Sequence, residues 1–182
     1  MTVVSELHQD HVNLSKLLEI LEKKVEKLKH DGEPNFSLMA DVIGYIANYA
    51  EHHHHPREDK MYAFFKGRDA ELDKVMADCE VAHQELKGIG GDLLEVIDGI
   101  LHDAVLPMDE FITRLESFVL NEKAHLDFEE GHIFPKLIAV ANDKDWAELA
   151  ISLPAEADPL FGEKQAEEYK ELYKALMQDM NA

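Results

Sequence analysis

His125-Leu126-Asp127-Phe128-Glu129-Glu130-Gly131-His132-Ile133-Phe134-Pro135 is the stretch on which the fold reading turns, together with its upstream counterpart His54-His55-Pro56-Arg57-Glu58-Asp59. In each, a histidine precedes a glutamate by four residues, a spacing that puts both side chains on one face of a helix. One such pair carries little weight, because 11 His and 22 Glu among 182 residues give about one His-x-x-x-Glu by chance. The register carries more. A lone histidine stands upstream of each pair, His11 and His83, and the matched residues of the two halves are 72, 71 and 71 positions apart. That agreement predicts a two-metal site built from His11, His54, Glu58, His83, His125 and Glu129.

Outward from these residues the apolar pattern is helical. Leu7, His11, Leu14, Leu18, Leu21, Val25 and Leu28 recur at three- and four-residue steps, so His11 lies on a core stripe. His30-Asp31-Gly32-Glu33-Pro34 reads as a stop. A second helix should begin near Asn35 or Ser37 and carry Leu38, Val42, Ile46 and Tyr49 into the histidine run 52–55. Pro56 removes a backbone hydrogen bond and predicts a kink near His52, with the helix resuming as far as Lys66-Gly67. Such a kink threatens to rotate His54 away from Glu58, and His55 with Asp59 is the alternative register. Asp69 caps a third helix holding Leu72, Val75, Met76, Cys79, His83, Leu86, Leu93, Leu94 and Ile97, in which Gly88, Gly90 and Gly91 signal a close approach or a bend. Pro107 fits the first turn of a fourth helix, whose inward stripe reads Phe111, Leu115, Phe118, Glu122, His125, Glu129 and His132.

Four such helices with short connectors predict an all-α, antiparallel up-down four-helix bundle over residues 1–140. Residues 141–182 form a C-terminal extension, with helices expected at 144–153 and 164–180 packed on the outside of the bundle.

Composition narrows the partners. A formal charge of −20 argues against nucleic acid and anionic membrane surfaces, which reward clustered Lys and Arg. No stretch approaches the roughly 18 apolar residues of a membrane span, and a cytoplasmic setting is expected. Cys79 is the only cysteine, so disulfides are excluded and a metal is expected to rely on imidazole and carboxylate.

Imidazole with carboxylate suits iron, manganese or zinc. With both glutamates bridging, each metal receives two imidazoles and two carboxylate oxygens, leaving positions for an oxo bridge and a small ligand. A single buried histidine is more often a hydrogen-bonded core residue. Four imidazoles and two carboxylates at matched levels of one core are costly to bury without a cation. His132 lies on the face of His125 but matches Met61 in the other half, and reads as surface or bundle end. His52, His53 and His55 cannot all share the face of His54 and read mostly as exposed, His8 and His102 as solvated, and Tyr45 and Tyr49 as core.

On the two quoted stretches and the helix positions of His11 and His83, residues 5–140 resemble the hemerythrin-like, or HHE cation-binding, family. The tail Asp158-Pro159-Leu160-Phe161-Gly162 is similar to that of a bacterial subgroup. The resemblance implies a non-haem centre of two iron ions inside the bundle, bridged by an oxo group and by the carboxylates of Glu58 and Glu129, with manganese or zinc as substitutes. Oxygen-carrying members place a second histidine four residues after the third-helix one, where this chain has Lys87. They also pair the last histidine with an aspartate five residues on, rather than a glutamate after four. A dedicated oxygen carrier is therefore not the expectation. A protein that binds or reacts with dioxygen, nitric oxide or hydrogen peroxide in stress handling is, with a redox or protein partner supplying electrons or reading the state. The alternatives are a sensing module without turnover, and iron donation for the repair of iron centres, although the cysteine-bearing segment of the repair proteins is missing.

Overall fold

The computed structural model describes residues 2–30, 32–33 and 35–180. Asp31 and Pro34 of the expected stop lie outside the described residues. Helix α1 runs over Val3–Lys29, its N-cap Thr2 accepting from the amide of Ser5 at 3.3 Å. Helix α2 spans Phe36–Tyr49 and passes through a π-helical turn, Ala50–His54, into α3, His55–Phe65. Asp69 caps α4, Ala70–Leu101, as expected, with a 2.8 Å bond from the Leu72 amide. Helix α5, Met108–Phe128, leads through a second π turn, Glu129–Ile133, into α6, Phe134–Val140.

Both π turns have one cause. Pro56 and Pro135 lack an amide proton, so the turn before each cannot close its normal i→i−4 bond, and the helix widens to i→i−5 instead. A π turn inserts one extra residue, so the face pointing inward shifts by one position. This moves His132 out of the inward stripe to the exposed side and brings Ile133 and Leu137 in.

The relative direction of the helices follows from which ends meet. Val3, Val4 and Leu7 at the start of α1 pack with Met61 and Phe65 of α3, Leu72 and Met76 of α4, and Ile133 and Leu137 beyond α5. At the far end, Leu21, Val25 and Leu28 meet Leu38 and Met39 of α2, Leu93 and Ile97 of α4, and Phe111 and Leu115 of α5. Starts meet ends in alternation, so this is an antiparallel up-down four-helix bundle, with neighbours α1–α2, α2–α4, α4–α5 and α5–α1. Gly90 resolves the glycine question as a close approach: a Cβ there would lie 3.3 Å from that of Ala47, and α4 stays unbroken.

The remaining chain covers the bundle. Helix α7, Asp143–Ser152, starts on a capping box of Asn142 and Asp145 and buries Leu149 in the first cluster. Helix α8, Lys170–Met180, begins six residues later than the pattern suggested, because the Ala166 amide folds back to the Pro159 carbonyl at 2.8 Å. Asp158 pins this turn to the bundle. Its carboxylate accepts from Tyr45 Oη at 2.8 Å and Asn13 Nδ2 at 2.9 Å, as well as from the amides of Leu160 and Phe161.

Candidate metal centre

Between the two apolar clusters the core turns polar. His11 follows Leu7 by one turn of α1, His54 closes the first π turn, Glu58 stands one turn on in α3, and His83 lies mid-way along α4. His125 stands in the last turn of α5 and Glu129 opens the second π turn. All six are buried, and their ligand atoms converge. The feared separation of His54 from Glu58 does not occur, because the π turn ends at His54 and the pair itself keeps α-helical spacing.

Each glutamate faces two sets of imidazoles. Glu58 Oε1 lies 3.4 Å from His11 Nε2 and 3.3 Å from His54 Nε2, while its Oε2 lies 3.5 Å from His83 Nε2. Glu129 Oε2 lies 3.3 Å from His11 Nε2 and 3.4 Å from His125 Nε2, and its Oε1 lies 3.6 Å from His83 Nε2. These separations are longer than good N–H···O bonds. The four to His11, His54 and His125 match the roughly 3.0–3.4 Å expected between two ligands that each sit about 2.1 Å from one ion, and the two to His83 are slightly longer. Accordingly Glu58 Oε1 and Oε2, Glu129 Oε2 and His125 Nε2 are buried without a hydrogen-bond partner. Such orphans cost about 1–3 kcal/mol each, more when charged, and a bound cation would satisfy all four.

The electrostatics agree. Burial alone would lower the His11 imidazole, but the carboxylates of Glu129, Glu130 and Glu58 overcome it and hold it at about 11. His54, against the same burial, is lifted to about 9 by Glu58 and Asp10, and His83 to about 10 by Asp59, Glu129 and Glu58. Glu58, which burial and Glu129 would raise, is brought down to about 2 by His54 and His11. The core therefore demands positive charge, which imidazolium supplies where no metal does.

The outward nitrogens are fixed as well. His11 Nδ1 donates to Glu130 at 2.8 Å, His83 Nδ1 to Asp59 at 2.8 Å, and His54 Nδ1 faces Asp10 at 3.3 Å. A carboxylate on Nδ1 holds the tautomer in which Nε2 presents its lone pair inward. Asp10 is itself held by the Tyr49 hydroxyl at 3.1 Å, and the Tyr62 hydroxyl donates to Glu129 Oε1 at 2.6 Å.

Several of these residues escape a reading by pairs. Tyr62 stands one turn beyond Glu58, a spacing that was there to be read. Glu130 and His55 turn inward only through the π turns. His55, read as one of a mostly exposed run and, with Asp59, as an alternative register, is buried beside Glu58, His83 and His125 and stacks on His83 with ring centroids 4.1 Å apart. Burial and the neighbouring His83 and His54 push it down to about 2, so it is neutral. Cys79, read only as a core-stripe residue, is buried with its Sγ 3.1 Å from Glu129 Oε1, beside the same cluster. Glu122, on the inward stripe as expected, is pushed up to about 7 by burial. His8 stays exposed yet bonds Glu130 at 2.9 Å.

Two cavities reach the centre. One of about 330 Å³ opens between α4 and α5 past Ala82, Leu86, Ile89 and Phe128 to Cys79 and His125. The other, about 170 Å³ and polar, reaches His55 and His83 beside Asp59 and Lys87. Lys87, at the position where oxygen carriers are expected to have a further histidine, is exposed and bonds Glu51 at 2.6 Å.

Among the described residues no helix is long and apolar enough to cross a membrane. Comparison with curated proteins returns no match. The family model of the hemerythrin HHE cation-binding domain matches residues 2–137, within three residues of the span whose motifs resemble it. With that match over most of its length, and a buried His/Glu cluster able to hold metal, the chain belongs to the hemerythrin HHE cation-binding domain family.

Proposed function

We propose that this chain is a non-haem di-iron protein that binds or reacts with dioxygen, nitric oxide or hydrogen peroxide, and that it serves oxygen or nitrosative stress handling in the cytoplasm. His11 and His54 would hold one ion and His83 and His125 the other, with Glu58 and Glu129 spanning both. The observation that carries this reading is the set of buried, unpartnered atoms, Glu58 Oε1 and Oε2, Glu129 Oε2 and His125 Nε2, facing one small volume.

Iron in such a site supplies Lewis-acid and one-electron chemistry, and manganese or zinc would suit the same donors. The chain's own residues do the rest. Apolar clusters on both sides exclude water, and the carboxylates of Glu130, Asp10 and Asp59 orient the imidazoles. The cavity between α4 and α5 is lined by Ala82, Leu86, Ile89, Ala124 and Phe128 together with Asp78, Glu85 and Asn121, a lining that favours a small neutral ligand over an anion. Lys87 takes up a surface ion pair, so it adds no donor at the centre, which favours reaction over dedicated reversible carriage.

The test is optical. Iron-loaded protein, reduced anaerobically, is exposed in turn to nitric oxide, dioxygen and hydrogen peroxide. A change in the visible spectrum with at least one of them is expected, and no response to any of the three sinks the reading.

A further inference from the structure

Three helices contribute a pair of side chains one turn apart to the polar core. The first two are His54 with Glu58 and His125 with Glu129. The third is Cys79 with His83 on α4, whose sulfur and Nε2 lie 3.8 Å apart. Helix α1 supplies His11 alone. The two ends of the cluster are therefore unequal. The end at His11 and His54 has only nitrogen and oxygen donors, whereas the end at His83 and His125 also has a thiol.

Cys79 is a core cysteine in an uncommon setting. It is buried, yet four polar groups surround its sulfur: Glu129 Oε1 at 3.1 Å, His83 Nε2 at 3.8 Å, His125 Nδ1 at 3.9 Å and Tyr62 Oη at 3.9 Å. An ion about 2.3 Å from sulfur and 2.1 Å from nitrogen or oxygen keeps those ligands roughly 3.1–3.9 Å apart. The distances to Glu129 and His83 fall in that range. Independently, the orphaned, buried Nε2 of His125 shows that this end of the core lacks a partner. The cavity between α4 and α5 ends on Cys79 and His125, so this is also the end that an incoming ligand meets.

Resting on the proposed two-metal centre, we propose that Cys79 is a sulfur ligand to the ion at His83 and His125, and that the pair of ions is chemically asymmetric. In the metal-free site the thiol proton sits on the bond to Glu129. A coordinating thiol is deprotonated by the ion. The sulfur–metal bond then replaces the S–H bond, and the proton leaves to solvent through the cavity. The competing role is an outer contact, with the sulfur backing His125 as the carboxylates back the other three imidazoles. At 3.9 Å that contact is much longer than the 2.8 Å bonds of Glu130 and Asp59.

Cobalt(II) distinguishes them. Added anaerobically to the metal-free full chain, it should bind at two ions per protein. An intense near-ultraviolet sulfur-to-cobalt band should appear that corresponds to one of the two ions. Cys79→Ser should still take two cobalt ions without the band, with affinity at one site lowered about tenfold. Two cobalt ions bound by the wild-type chain with no sulfur band overturns the sulfur ligand and leaves the proposed function standing. Failure to bind cobalt overturns both. The wild-type spectrum decides the matter even if Cys79→Ser does not fold.

Discussion

The two turns that carry the His/Glu pairs have the same parts in different order. In both, a five-residue π turn is followed by one residue and then a proline: 50–54 before Pro56, and 129–133 before Pro135. The two prolines are 79 positions apart, whereas the ligands repeat at 71. The widening therefore falls before the pair in the first half, with Pro56 between His54 and Glu58, and after it in the second, starting at Glu129. In the first half the extra inward residue is His55, stacked on His83; in the second it is Glu130, bonded to His11. Symmetric candidate ligands thus sit in asymmetric surroundings, and one proline shifted along a helix is enough to do it.

Glu58 and Glu129 are equivalent in this comparison, and their replacement should have the largest effect. Glu58→Gln and Glu129→Gln should each weaken metal binding more than about 100-fold, beyond what loss of a supporting residue costs, and reduce metal content from two ions per chain to one or fewer. Metal analysis of the two purified variants checks this, and a large loss from only one of them breaks the equivalence.

The carboxylates behind the imidazoles come next. Asp10→Asn, Asp59→Asn and Glu130→Gln should each lower metal affinity about 10–100-fold, as read by competition with a chelator. Glu130 owes its inward position to the second π turn, so a Glu130→Gln effect as large as that of Asp59→Asn would mean that the widened turn is part of the site.

Restoring an amide separates the two halves further. Pro56→Ala should let the first π turn relax, rotate His54 and His55 relative to Glu58, and cost about tenfold in metal affinity, or about 1.4 kcal/mol. Pro135→Ala, six residues beyond the last ligand, should change affinity by less. Equal effects would remove the distinction between the two turns.

The smallest effect is on the pH dependence of the metal-free protein. His11, His54 and His83 are raised to about 11, 9 and 10, so their stabilisation is complete below about 6.5 and is lost as pH rises toward those values. Glu58, lowered to about 2, contributes fully above about 4.5 and loses its contribution as pH falls. Metal-free protein should melt at its highest temperature between about pH 4.5 and 6.5 and lower by pH 9. Metal-loaded protein should show the opposite trend above 6.5, because metal requires unprotonated imidazoles.

Much of this was legible in the sequence, for identifiable reasons. The repeat of His11, His54, Glu58, His83, His125 and Glu129 survives any local distortion that acts within a turn, so convergence of the six could be read from spacing alone. What a 3.6-residue period cannot foresee is a turn that does not obey it. His55 and Glu130 enter, and His132 leaves, through widened turns whose cause, a proline two residues on, was visible while its direction was not. Asp10 and Asp59 depend on contacts between helices distant in sequence. Cys79 was hidden differently: its spacing to His83 matches the other pairs, but its residue type led to its being read as core.

Iron content of the full chain after anaerobic reconstitution with ferrous iron and removal of excess is the most direct test of a paired centre. Two ions per chain are predicted, both lost in the Glu58→Gln, Glu129→Gln double variant. One ion or none in the wild-type protein, or two that persist in the double variant, would contradict it.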